Sequence, residues 1–293
     1  MANADPARPL RALGGSELTQ RVLSALVLAA LAVGAAYIGS WPFVVFWGVA
    51  ALVVLWEWCS LVAFSERRSI LMAGGVPVLL AILLAGAVSE APNDLSEIRL
   101  LAALTVLVMG MLAAAGLAPR QHRLWVAAGI PYSGLLGVAP IVLRFDPRYG
   151  FMAIVFLFAI VWATDILAYF VGRALGGPKL APQVSPKKTW SGAIGGVVAA
   201  TMAAVAVAMV AGLANLLALA LVAGLLSIVA QGGDLFESAL KRRFGAKDSS
   251  NLIPGHGGLM DRLDGFLMAA VLAVLIGVTH GGAHAPAQGL LVW

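Results

Sequence analysis

Apolar residues run along this chain in blocks about as long as a bilayer is thick, and polar residues collect between them. A helix needs roughly 20 mainly apolar residues to cross the hydrocarbon layer. Blocks of that kind cover residues 22 to 39, 42 to 63, 69 to 88 and 99 to 118. More polar ones follow at 124 to 143, 151 to 171, 190 to 211, 214 to 231 and 265 to 280. The pattern predicts an all-α, polytopic integral membrane protein of about nine transmembrane helices. A single membrane domain over 16–293 is expected behind a short disordered lead at 1–15. The first block is followed by many more and no small-residue cleavage site precedes a soluble stretch, so the N-terminus is expected to be retained rather than removed as a signal peptide.

Composition agrees. Of 293 residues, 61% are hydrophobic and 11% charged, against roughly a quarter charged in a soluble domain. Cys59 is the sole cysteine and lies in an apolar block, which excludes an intrachain disulfide and a CxxC metal site. Charge then sets the orientation. With the N-terminus inside, 16 of the 19 basic residues fall on the inner side, and Arg99, Arg144 and Arg148 alone stay outside. Cytoplasmic loops carry such an excess, so the N-terminus is expected in the cytoplasm and the C-terminus outside. The net charge of +5 follows from that bias and from attraction to anionic headgroups. Nucleic-acid binding needs a basic patch on a soluble face, and none is visible.

The two longest inner segments, Gly172 to Thr189 and Gln231 to Arg262, are dense in charge and glycine. The hairpin through Gly212 to Asn215 returns the second to the membrane face of the first. If helix continues through Arg242, then Asp234, Glu237, Ser238, Lys241 and Arg242 fall at i, i+3, i+4, i+7 and i+8, on one face. The run Pro254-Gly255-His256-Gly257-Gly258 breaks helix and lets backbone approach a ligand closely. Asp261 and Asp264 follow at i and i+3 at the start of the last membrane helix, with Arg262 beside them. Carboxylates meeting lysines and arginines at a membrane surface suit magnesium and a nucleoside triphosphate, because Mg²⁺ takes one or two carboxylates and leaves its other positions to water and phosphate. The plainer reading is a solvated loop of ion pairs, yet four acids at the boundary of apolar spans are costly unless paired or metal-bound. Ser185-Pro186-Lys187-Lys188-Thr189 sets two lysines and two hydroxyls before a helix, where free N–H groups favour anions. Asp165, with Tyr169 one turn on, faces either a wet cavity or a helix-packing partner. Glu57, between Trp56 and Trp58, pairs with a base elsewhere or sits at the interface.

The string Ser238, Lys241, Arg242, Lys247, Asp248, Pro254, His256, Gly257, Gly258, Asp261, Arg262 and Asp264 resembles the signature of the phosphatidate cytidylyltransferase (CDP-diacylglycerol synthase) family. The GDLFES run at 233–238 and the SPKKT run at 185–189 resemble it too, so the likeness covers at least residues 160–266, the expected catalytic region. One departure is Ser191, where the family usually has a glutamate.

The resemblance implies that the phosphate of phosphatidic acid attacks the α-phosphorus of CTP, giving CDP-diacylglycerol and pyrophosphate. It favours Asp234, Asp261, Asp264 and Lys241 as catalytic residues, with Mg²⁺ on Asp234 and Asp261 and a second, monovalent cation left open. Ser185, Lys187, Lys188, Ser238, Arg242, Lys247, His256 and Arg262 are the expected substrate contacts. It also implies a homodimer. A compact chain with a short N-terminal lead fits a bacterial inner membrane, and the charge bias puts the site on its cytoplasmic face. The rival classes are a transporter, whose ionisable residues should recur in paired halves near the midplane, and a CDP-alcohol phosphotransferase, whose DGxxAR signature is absent. A P-loop ATPase is excluded, since no GxxxxGK[ST] occurs.

Overall fold

Backbone amides find no partners in hydrocarbon, so apolar blocks can cross a membrane only as helices that satisfy their own hydrogen bonds. The computed structural model, which describes residues 14–62, 67–87, 93–253 and 257–293, folds every one of the nine blocks as helix. In chain order these are α1 (Gly14–Ile38), α2 (Ser40–Val62), α3 (Arg67–Gly86), α4 (Asn93–Leu117) and α5 (Arg123–Arg144). Then come α6 (Gly150–Leu175), α7 (Trp190–Val210), α8 (Leu216–Arg243) and α9 (Met260–Gly281). Eight of them, α2 to α9, are long and apolar enough to cross a membrane, while the described apolar stretch of α1 is Val22–Ile38. Most of the expected lead lies outside the described residues, and α1 already begins at Gly14.

Helices α2 to α5 form one packed group, and α5 and α9 join it to α6 and α8. Aromatic contacts carry that junction. Trp47 of α2 stacks on Phe266 of α9 with ring centroids 4.7 Å apart, and Phe266 meets Phe158 of α6 at 5.5 Å. Arg144 closes the C-terminal end of α5 onto α1, donating from Nε to the Ala36 carbonyl at 2.5 Å and from Nη2 to the Tyr37 carbonyl at 3.3 Å. A base at those last carbonyls satisfies acceptors the helix leaves open.

Small residues set the spacing around the site. Gly192, Gly196, Ala200, Ala204 and Ala208 recur every four residues on the buried face of α7, which lets α6 and α7 approach closely. A Cβ at Gly192 would stand 2.6 Å from the Ala168 carbonyl. Deeper in, Thr164 of α6 and Ser227 of α8 hydrogen-bond at 2.7 Å, satisfying two buried hydroxyls at once. Thr189 caps α7 by accepting from Gly192 N at 3.2 Å, and Asn215 caps α8 by accepting from Ala218 N at 3.2 Å. The turn between α7 and α8 falls where the Gly212–Asn215 break predicts it.

Three features depart from the pattern of blocks. Helix α8 runs a dozen residues past its apolar stretch, because the polar face that follows is turned to partners within the protein. The segment after α6 is a small antiparallel hairpin rather than a loop, with β1 (Lys179–Ala181) paired to β2 (Ser185–Thr189) in the register Lys179↔Thr189 and Ala181↔Ser185. Gly176 and Gly177, at φ of 63° and 97°, turn the chain into it in a conformation that side chains disfavour. A short tenth helix, α10 (Pro286–Leu291), follows α9, tied down where Gln288 N donates to Asp146 Oδ2 at 3.0 Å.

Candidate active site

A cavity of about 890 Å³ opens where α6 and α8 end and α7 and α9 begin, with the β1–β2 hairpin along one side. The two charged segments thus meet, as the α7–α8 return requires. From α8, Asp234, Glu237 and Lys241 face the cavity. From α9 come Asp261, Arg262 and Asp264, and from β2 come Lys187 and Lys188. Asp165 and Tyr169 reach it from α6, which settles Asp165 as a cavity residue rather than a packing contact.

Two lysines organise the acids. Lys188 pairs with Asp234 Oδ2, which joins the hairpin to α8. Lys241 Nζ lies 2.6 Å from Glu237 Oε2 and 2.5 Å from Asp261 Oδ1, bridging α8 to α9. Asp261 is also held by backbone: Gly258 N donates to its Oδ2 at 2.7 Å and Ser249 N at 3.0 Å. Asp264 takes Gly265 N on Oδ1 at 2.8 Å, and Asp165, Asp234 and Asp264 are close enough to repel one another.

Four expected contacts do not reach the lining. Ser185 lies at the far end of β2, and Lys247 is exposed in the segment after α8. Arg242 points away and donates to the Ala246 carbonyl at 3.2 Å, closing the end of its own helix. Ser238 stands behind Asp234, its Oγ 3.5 Å from Oδ1. His256 lies outside the described residues. In their place the cavity takes up Arg173, Lys179 and Asp248. Ser191, at the family's glutamate position, donates to the Gly176 carbonyl and lies 3.1 Å from Thr189 Oγ1, so it pins the neck of the hairpin.

Glu57 is the residue sequence reasoning left unplaced. It is fully buried in α2 and accepts from Ser250 Oγ at 2.6 Å, Leu259 N at 2.9 Å, Met260 N at 2.6 Å and Ser249 Oγ at 3.3 Å. No base is among its partners in the described residues, so the expected pairing with a base is not what holds it.

The lining suits a polyanion that arrives with its own cations. Among the described residues it holds six acids (Asp165, Asp234, Glu237, Asp248, Asp261, Asp264) and six bases (Arg173, Lys179, Lys187, Lys188, Lys241, Arg262). Counted formally, acids and bases balance, so a bound triphosphate adds negative charge that the side chains do not offset. No three carboxylate, histidine or cysteine side chains among the described residues converge to hold an ion unaided. Asp234 and Asp261 on the lining offer the one or two carboxylates that a hard divalent ion takes, its other positions going to water and phosphate.

Helices and cavity together define an integral membrane protein with a charged pocket at one end of its bundle. The chain belongs to the cytidylyltransferase family, whose pattern it matches over residues 19–279, and is thereby a nucleotidyltransferase, a class that generally uses divalent metal. It is 41% identical over 275 residues to a phosphatidate cytidylyltransferase of Brucella suis, covering 92% of this chain and 97% of that one. To the enzymes of the same name from Haemophilus influenzae and Bacillus subtilis it is 34% identical over 280 and 257 residues. Those alignments cover 87% and 86% of this chain, and 96% and 94% of theirs.

Proposed function

We propose that this chain is a phosphatidate cytidylyltransferase that makes CDP-diacylglycerol from CTP and phosphatidic acid, with Mg²⁺. The observation that carries this is the convergence of Lys188, Asp234, Lys241 and Asp261, from three separate elements, around one cavity at the end of a membrane bundle. A phosphate oxygen of phosphatidic acid attacks the α-phosphorus of CTP. The new P–O bond forms as the bond to the β-phosphate oxygen breaks, and pyrophosphate leaves with the electron pair. Such transfers depend on positioning and charge neutralisation, so no covalent nucleophile is needed.

Lys188 and Lys241, held here by aspartates, turn to the phosphates when CTP enters, and Lys187 and Arg262 extend the same basic wall. Asp234 and Asp261, with Asp264 supporting, would hold Mg²⁺, which supplies charge neutralisation and alignment of attacking and leaving oxygens. Glu237 Oε1, buried with no hydrogen-bond partner among the described residues, and Asp165 leave acceptors for a second, monovalent cation. The acyl chains stay in hydrocarbon while the headgroup reaches the cavity from the side. In this reading α1 is a ninth crossing, the N-terminus is cytoplasmic, and the cavity faces the cytoplasm of a bacterial inner membrane. The excess of basic residues on the cavity side supports that orientation. A homodimer completes the proposal, on the strength of the family resemblance.

With purified protein in detergent, label from CTP is expected to enter the lipid phase only when phosphatidic acid and Mg²⁺ are both present. A chelator should abolish transfer and added Mg²⁺ restore it. Transfer that persists in excess chelator overturns the metal assignment, and a folded sample that transfers nothing overturns the reaction.

A further inference from the structure

We infer that Glu57 is a positioning residue for the transferase site: from α2 it latches both described ends of the segment joining α8 to α9, and so aims Asp261 and Asp264 at the cavity. The inference rests on the function proposed above. A helix leaves its first N–H groups without partners, and the start of α9 has no side-chain cap of its own. Glu57 supplies the missing acceptors from another helix, taking Leu259 N at 2.9 Å on Oε1 and Met260 N at 2.6 Å on Oε2. The same two oxygens take Ser250 Oγ at 2.6 Å and Ser249 Oγ at 3.3 Å. One carboxylate therefore fixes the chain as it leaves α8 and again as it enters α9.

Ser249 carries the constraint to the site. Its Oγ lies 3.0 Å from Asp261 Oδ2, and its N–H donates to the same carboxylate. Gly258 fills the space between the two acids. Its N–H donates to Asp261, while a Cβ there would fall against Ser249 Oγ and stand 2.5 Å from Glu57 Oε1. Only glycine lets latch and aspartate close on the same backbone. Since Asp261 and Asp264 lie in the first turns of α9, moving that helix start by an ångström moves both carboxylates.

Glu57→Gln turns one acceptor into a donor that faces N–H and O–H groups. In purified protein it should lower kcat by about 10- to 100-fold, as loss of a residue orienting metal-binding groups does, and raise half-saturating Mg²⁺ several-fold. Glu57→Asp, which keeps both acceptors, should recover part of the loss. Gly258→Ala should reproduce the defect, and the double variant should be no worse than the poorer single one, because both break one unit. Hydrogen exchange supplies a readout independent of turnover: in Glu57→Gln, peptides covering 249–260 should exchange faster while those from α3 stay unchanged. Unchanged exchange at 249–260 overturns the latch, as does acceleration everywhere, which marks Glu57 as a general stabiliser. Released exchange with wild-type kcat and Mg²⁺ dependence overturns the positioning role. A wild-type protein that transfers nothing refutes the proposed reaction, and the exchange result then judges the latch by itself.

Discussion

Asp234→Asn lowers cytidylyl transfer by about a hundred- to a thousand-fold, the scale of losing one charge-stabilising group from a preorganised site, while the protein keeps its thermal midpoint in detergent. Both halves follow from the surroundings of Asp234. Its partner Lys188 has a side chain 27% exposed, and Asp234 itself is 34% exposed, so their ion pair contributes little to stability. Asparagine keeps the shape and the contact with Ser238. What it removes is negative charge facing the cavity, where Asp165 and Asp264 already crowd. Steady-state turnover beside a melting curve checks this, and a variant with more than a third of wild-type turnover would show that Asp234 is not in the reaction path. Asp261→Asn should lose turnover too, with a looser segment before α9, because Asp261 also holds the Ser249 and Gly258 amides.

Lys241→Met should fail in both respects. Lys241 and Glu237 have side chains 11% and 1% exposed, and Asp261 is 6% exposed. Removing one partner from a buried pair typically costs about 3–5 kcal/mol, because the other charge is left uncompensated. Lys241→Met should therefore melt well below wild type and transfer at least about a hundred-fold more slowly. Adding Glu237→Gln removes one of the stranded acids and should return much of the midpoint, but none of the turnover. Recovery of both would make Lys241 a structural residue only.

The stripe on α8 was legible because its period is visible in sequence, and helical geometry also explains its two misplaced members. At about 100° per residue, Ser238 and Arg242 stand roughly 40° and 80° to one side of Asp234, while Lys241 stands roughly 20° to the other. Membership in a motif does not say which side of the stripe meets the cavity. The hairpin was not legible: strands of three and five residues, with Pro178, Pro182 and Pro186 around them, are too short to show alternation. Glu57 was hidden for another reason. Its partners lie 192 to 203 residues further along the chain, and all four are small or apolar residues offering backbone or hydroxyl groups that no charge pattern reveals. Arg173 and Lys179 read as ordinary inner-face charges until the α6–α7 approach, set by Gly192 and Gly196, placed them at the cavity.

The most direct measurement compares CTP labelled at the α-phosphate with CTP labelled at the γ-phosphate, each given to the purified protein with phosphatidic acid and Mg²⁺. Attack at the α-phosphorus predicts that α-label moves into the lipid phase while γ-label leaves wholly as pyrophosphate, in equal molar amounts. Label from the γ-position in lipid, or neither label moving, would contradict cytidylyl transfer at this site.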